Sequence, residues 1–441
     1  MTETETTLRP LAWIERLWSS IADRGRAFAN VPAATIAPLE RARQLAQALL
    51  SGRGEASGAA LARDLLQVLN GLDHAGRLAF CQFAAAGFWP DQAALQAAAA
   101  AYLESPSPAT AATLAEAAEP PRQELLRRIN HGQGGTAALV ALRQEVLGAL
   151  RTAPELAPLD ADLKHLFSSW FNRGFLELRR IDWNTSAALL EKLIAYEAVH
   201  EIDGWNDLRR RLAPDRRCFA FFHPALPGEP LIFVEVALVS GLADAVQPLL
   251  APDTDTASQA RRAMAADTAI FYSISNCQEG LRGISFGNFL IKQVVEELKA
   301  ELPQLRRFAT LSPVPGFRRW LGREAEAGRA ELPEGDALPD EALRPALLRH
   351  CASYLTASQP GRGDAVARFH LGNGARLERI NWRGNTAPRG IAESFGIMVN
   401  YLYDPDSIEA NHELFAAAGT VARSREVEQL LAPPVLRQGR G

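Results

Sequence analysis

The stretch Arg282–Lys292, Arg-Gly-Ile-Ser-Phe-Gly-Asn-Phe-Leu-Ile-Lys, follows a run rich in Ile, Phe and Tyr, Ala-Ile-Phe-Tyr-Ser-Ile-Ser at Ala269–Ser275. The β-branched and aromatic residues of that run predict a strand. After it, Phe286, Leu290, Val294 and Leu298 recur every fourth residue with Phe289 beside them, while Lys292, Glu296, Glu297 and Lys299 fall mostly on other faces. That pattern predicts an amphipathic helix starting between Ser285 and Asn288. Gly283 and Gly287 lie in the intervening turn, where a missing Cβ permits a positive φ or a close backbone approach to a ligand. A strand–turn–helix of this kind points free N–H groups and the positive end of a helix dipole at whatever lies above the turn, and an anion is the natural occupant.

Two familiar phosphate loops do not fit. There is no GxxxxGK[ST], and no GxGxxG followed by an acidic residue about twenty positions on. The pattern R/Q-x-x-G-x-G/A does fit and resembles the pyrophosphate loop of the GNAT superfamily. Arg282 and Gly287 match it, whereas Ser285 stands where the first glycine normally is. The run Arg-Phe-Ala-Thr-Leu-Ser-Pro at Arg307–Pro313 supplies a second strand after the helix. In such folds the two strands splay around the thioester of an acyl-CoA, and Ser312 then falls at the open end.

Around this unit the chain is divided by composition. The first 180 or so residues read as helix after helix, with alanine-rich runs and the one-sided stripe Leu139, Leu142, Val146, Leu150. Breaks fall at Ser105–Pro108, Glu119–Arg122 and His131–Gly135. From about residue 181 strand-like runs alternate irregularly with helices. Arg217–Pro224 and Leu231–Val239 read as two strands joined by a Pro/Gly turn, and Arg323–Pro345 reads as an acidic, proline-rich surface excursion. The expected class is therefore α + α/β: an all-helical domain over 1–180, then a GNAT-like mixed α/β domain over 181–441.

A chain of 441 residues with a net charge of −4 has no electrostatic bias toward nucleic acid or anionic lipid. Its four cysteines show no CxxC pair or disulfide-like spacing, its histidines form no ligand spacing, and no stretch nears eighteen uninterrupted apolar residues. The acidic start, Met-Thr-Glu-Thr-Glu-Thr-Thr-Leu, lacks the apolar core of a secretory signal. These features predict a cytoplasmic protein with no metal site, no membrane contact and no nucleic-acid partner.

Four longer segments carry a more specific likeness. They are Trp170–Trp183, Ala195–Leu238, Phe271–Leu321 and Phe369–Asp404, and together they resemble the malonyl-CoA decarboxylase family over most of residues 165–405. The resemblance implies an N-terminal helical domain used in homo-oligomerisation and a C-terminal catalytic domain of GNAT fold. It also implies conversion of malonyl-CoA to acetyl-CoA and carbon dioxide with no cofactor: no biotin, metal or nucleotide. Carried over by position, the substrate-binding loop is Arg282, Gly283, Ile284, Ser285, Phe286, Gly287 and Asn288. The catalytic serine is Ser312, as proton acceptor, the catalytic histidine is His370, as proton donor, and a further site tyrosine is Tyr403. Some relatives have a carboxylate where this chain has Ser285, so no role for that carboxylate carries over.

The residues suit that chemistry. Loss of carbon dioxide leaves electrons on C2 that delocalise onto the thioester oxygen, so the thioester is its own electron sink. The protein must supply oxyanion donors and one proton. Serine alone is a poor base, and Ser312 reads better as a hydrogen-bond relay with His370 or the substrate carboxylate. By pattern alone His370 sits in a strand-like run, and Asp364 reads as surface charge. Two other readings stay open: an acyl-CoA-dependent N-acyltransferase, which needs an amine acceptor, and a non-catalytic acyl-CoA sensor.

Overall fold

The computed structural model describes residues 35–51, 55–284, 290–333, 335 and 337–432. They divide into two compact units. The first runs to Leu176 and takes in the connection His223–Glu229 and the turn beginning at Gln278. The second comprises Glu177–Phe222, Pro230–Cys277 and the chain beyond that turn.

The first unit is helical: α1 Pro38–Leu50, α2 Glu55–Gly71, α3 His74–Gly87, α4 Gln92–Glu104, α5 Pro108–Ala118, α6 Pro121–Asn130, α7 Gly135–Ala149 and α8 Ala157–Trp170. The breaks in the sequence become helix starts. Ser107 caps α5 in a capping box with Thr110, and Pro108 and Pro121 occupy first-turn positions, where no N–H is missed. The stripe on α7 faces inward, with Leu139, Leu142 and Val146 buried. The alanine-rich α4 and α5 bury almost nothing; Ala98 is the single buried residue of α4, and α5 has none. Intrinsic propensity rather than packing supports those two helices.

The second unit contains β1 Glu177–Ile181, α9 Ala187–Tyr196, α10 Gly204–Arg211, β2 Arg216–Phe222, β3 Pro230–Val239, α11 Gln247–Leu250, α12 Thr256–Ala265 and β4 Thr268–Asn276. It continues with α13 Leu290–Glu301, β5 Arg307–Thr310, β6 Ser312–Pro313, α14 Phe317–Glu326, α15 Arg344–Thr356 and α16 Ala365–Gly372. It ends with β7 Arg376–Asn381, α17 Pro388–Ser394, β8 Met398–Leu402, α18 Ile408–Ala418 and α19 Arg425–Leu431. The strands form one sheet in the order β1-β2-β3-β4-β5-β8-β6, with β7 also on β8. All pairs are antiparallel except β4 and β5. Every residue of β2 is buried, because helices cover both faces. Cys218, Ala220 and Phe222 pack with Phe233, Leu190, Leu193 and Leu208, and further along the same face of the sheet Ala237, Ile270 and Tyr272 pack with Val246, Leu249 and Met398. Each such leucine, isoleucine or phenylalanine contributes about 1.5–3 kcal/mol.

A helical first unit followed by a mixed sheet with helices is the class the sequence predicts. The Arg323–Pro345 excursion is largely exposed, yet it is tied back where Trp382 Nε1 donates to Glu341 and Arg383 donates to the Pro339 carbonyl. Cys81, Cys218, Cys277 and Cys351 are all buried, and none is in a disulfide. Among the described residues no helix is long and apolar enough to cross a membrane.

Candidate active site

The β4–β5 pairing is short. Thr268–Phe271 runs parallel to Arg307–Thr310, and the Leu311 N–H still donates to the Phe271 carbonyl at 2.9 Å. Beyond that point the strands part: β4 runs on to Asn276, and the other chain crosses to β8, with Ser312 opposite Val399. Side chains at the crossing replace ladder bonds. Thr310 Oγ1 accepts from the Tyr401 N–H at 3.1 Å, and Asn400 Nδ2 donates to the Thr310 carbonyl at 2.7 Å. The gap holds a cavity of about 350 Å³, walled by Phe271, Tyr272 and Ile274 on one side and by Ser312, Phe369 and His370 on another.

Ser312, His370 and Tyr403 meet at one wall. Ser312 Oγ lies 3.0 Å from His370 Nε2, and His370 Nδ1 lies 2.7 Å from the Tyr403 hydroxyl. The Ser312 hydroxyl donates to Thr310 Oγ1 at 2.8 Å. With that proton committed, Ser312 Oγ is the acceptor for His370 Nε2–H. Nδ1 is then the acceptor for the Tyr403 O–H, so both ring nitrogens are satisfied in a neutral imidazole. The ring is fully buried, and desolvation alone lowers its pKa from 6.5 to about 3. Burial pushes the Tyr403 phenol well above 10, which keeps it a donor. His370 also lies in the last turn of a helix, where the dipole favours a cation by at most ~2 kcal/mol; desolvation outweighs it.

His370 is thus on a helix, not on the strand its flanks suggested. In α16 Ala367, His370 and Leu371 point inward and Phe369 is partly exposed, so the apolar neighbours mark two helical faces instead of one pleated strand. Asp364 also departs from expectation: it is 2 % exposed and holds this helix in place. One carboxylate oxygen accepts from the Val366 and Ala367 N–H groups, both at 3.0 Å, which caps α16. The other accepts from the Gly316 N–H and the Tyr354 hydroxyl, each at 3.3 Å. Asp364 therefore ties the helix carrying His370 to the turn four residues past Ser312. The sequence held a cue, an Asp directly before an Ala-Val-Ala helical start.

Tyr401 also belongs to the site, without a sequence signal of its own. Its ring stacks on the imidazole at 4.7 Å and 24°, two residues before Tyr403 and on the same face of the chain. Its buried hydroxyl has no hydrogen-bond partner among the described residues.

In the first unit, the substrate-loop candidates begin at a one-turn 3₁₀ segment, Glu279–Leu281. Arg282 is exposed and pairs with Glu279, Gly283 has φ of +79°, and Ile284 is buried. Ser285, Phe286, Gly287 and Asn288 lie outside the described residues. Arg143, buried on α7, donates to the Gly280 carbonyl at 2.8 Å and the Arg282 carbonyl at 3.0 Å, and pairs with Asp160 at 2.8 Å. A Cβ on Gly280 would sit 2.0 Å from the Val140 carbonyl oxygen, so only glycine allows this approach.

A Cβ on Gly316 would lie 2.2 Å from the Tyr354 hydroxyl and 3.2 Å from Asp364. Gly316→Ala is therefore expected to destabilise by about 1–3 kcal/mol in chemical unfolding. The double variant Gly316→Ala/Tyr354→Phe should recover part of that loss. Equal stability of the single variant and the parent would contradict the clamp.

The comparisons agree with one another. The family model for the malonyl-CoA decarboxylase C-terminal domain matches residues 174–439, and that for the N-terminal domain matches residues 88–171. The mitochondrial malonyl-CoA decarboxylase of Anser anser anser is 38% identical over 349 residues, 70% of this chain and 69% of that protein. The Mus musculus enzyme is 36% identical over 70% of each chain. Crystal structures of malonyl-CoA decarboxylases from Rhodopseudomonas palustris and Agrobacterium vitis superpose with TM-scores of 0.80 and 0.79 at 50% and 48% identity. Each covers 89% of this chain, with 99% and 100% of its own length matched. The chain belongs to the malonyl-CoA decarboxylase family.

Proposed function

We propose that the protein is a carboxy-lyase that converts malonyl-CoA to acetyl-CoA and carbon dioxide in the cavity between β4 and β6, with Ser312, His370 and Tyr403 as the proton-delivering row. The observation that carries the reading is the neutral hydroxyl–imidazole–hydroxyl chain at the wall of a mostly apolar cavity. Val199, Ile232, Phe271 and Ile274 give a carboxylate no charged partner there, which favours the state in which its charge has spread over the thioester enolate.

The C2–carboxylate bond breaks, its electrons pass into the thioester, and carbon dioxide leaves. C2 of a thioester enolate is a far stronger base than a serine alkoxide, so a neutral donor suffices and no imidazolium is required. Ser312 gives its proton to C2. His370 Nε2–H restores the serine, and Nδ1 takes the proton of Tyr403. The imidazole stays neutral throughout; a proton from water restores Tyr403, and transfer of the ring proton from Nδ1 back to Nε2 returns the starting tautomer. The net reaction consumes one proton.

On the same reading the stretch Arg282 to Asn288 binds the CoA pyrophosphate. The positive φ of Gly283 and the carbonyls fixed by Arg143 support that assignment. The division of labour follows: residues 181–441 carry the chemistry and residues 1–180 serve self-association. The exposed alanine helices α4 and α5 are the surface that supports it. A cytoplasmic site of action fits this scheme.

Incubation with malonyl-CoA and no amine is expected to release acetyl-CoA and carbon dioxide, and in D2O the acetyl group should carry one deuterium at C2. An N-acyltransferase would give no product under those conditions. Ser312→Ala and His370→Ala should each lose about 10²–10⁴-fold in kcat while acetyl-CoA still binds; full activity in both would overturn the site assignment. Arg143→Gln tests the loop. It should lower Tm and raise KM for malonyl-CoA about tenfold with kcat little changed, whereas an unchanged KM would contradict the tie.

A further inference from the structure

A second and larger cavity, about 660 Å³, lies elsewhere in the second unit and shares no lining residue with the Ser312–His370 cavity. It is walled by the end of β1, the C-terminal end of α10, the start of β2 and the segment leading into α12. Its size suits a small organic ligand and greatly exceeds a water cluster. Four arginines line it, Arg180, Arg209, Arg216 and Arg217.

These cations outnumber the carboxylates that serve them. Arg180 and Arg217 share Glu301, at 3.2 and 2.7 Å. Arg216, Arg210 and Arg262 converge on Asp215, at 3.2, 2.7 and 3.1 Å, and Arg262 also pairs with Asp253. Asp182 and Asp253 are the carboxylates in the lining itself. Arg209 has no carboxylate partner among the described residues and lies 5.6 Å over the Trp183 ring. Arg216 is 4 % exposed; its Nη1 donates to the Asp215 carbonyl at 2.9 Å and its Nη2 to the Leu249 carbonyl at 2.7 Å, while its Nε–H has no hydrogen-bond partner among the described residues. Burial, with Arg210 and Arg262 nearby, lowers its pKa from the usual guanidinium value. A buried donor of this kind calls for an acceptor.

Trp183 is 47 % exposed at the same cavity. An exposed indole beside guanidinium groups offers a stacking face for a planar ring next to donors that match phosphate or carboxylate oxygens. We infer that this cavity is a second ligand site, separate from the decarboxylation site, for an organic anion that joins a phosphate or carboxylate group to a planar ring. The anionic group faces Arg216 and Arg209, and the ring packs on Trp183.

ADP serves as the probe, with pyrophosphate and adenosine as the anion-only and ring-only arms. Because CoA itself contains an adenine nucleotide, calorimetric titrations are run on the full chain saturated with acetyl-CoA. ADP is expected to bind one per chain and more tightly than either arm. Arg209→Glu, at an exposed position, should weaken it at least tenfold, as should Trp183→Ala and Arg216→Gln. Decarboxylation by Arg209→Glu without ADP should match the parent. The inference is overturned if ADP shows no heat at millimolar concentration, if acetyl-CoA abolishes its binding, or if Arg209→Glu binds it as well as the parent.

Discussion

His370 has two ring nitrogens and is only 3 % exposed, so each nitrogen finds its partner inside the protein. Ser312 meets one and Tyr403 the other, and the Tyr401 ring covers the face. Two hydroxyls can satisfy a neutral imidazole but cannot compensate an imidazolium, and burial holds the ring neutral. The rest of the site follows from this constraint. The proton must move along neutral donors, and the thioester enolate is basic enough to accept it from one.

Three chain segments must converge for that row to exist, and each is placed by a local device. The strand leaving β4 is turned onto β8 by side-chain bonds from Thr310 and Asn400, which brings Ser312 to the mouth of the gap. Alternation along β8 and just beyond it sends Tyr401 and Tyr403 to the same ring. Asp364 caps the helix that carries His370 and accepts from Gly316, so helix and serine strand are fixed by one carboxylate. Gly374, with φ of +81°, then lets the chain turn from that helix into β7; a Cβ there would strike the Ile408 carbonyl at 2.0 Å.

Much of this was legible in the sequence where the pattern was periodic and local. The Leu139–Val146 stripe, the proline helix starts and the strand–turn–helix–strand order from Ala269 to Pro313 all read directly. Ser312, His370 and Tyr403 could be named only through long ordered likeness, since a lone serine, histidine or tyrosine carries no period. Their meeting depends on contacts between residues 58 and 33 positions apart in the chain. His370 was misread as a strand residue because a short apolar flank looks alike in a strand and in an eight-residue helix. Charge predicts exposure for Asp364, whereas two of the groups that justify burying it, the Gly316 N–H and the Tyr354 hydroxyl, lie 48 and 10 positions away. Arg143 carries no sequence signal of its role, because its partners at Gly280 and Arg282 lie 137 and 139 positions away.

The neutral imidazole is the claim on which the mechanism rests, and ¹⁵N NMR of histidine-labelled protein tests it directly, with His370→Asn identifying the resonance. Between pH 8 and pH 5 the ring is expected to remain neutral, protonated at Nε2 and bare at Nδ1, with protonation deferred to about pH 3. An imidazolium signal growing in as the pH falls through 6.5, or a ring protonated at Nδ1, would contradict it.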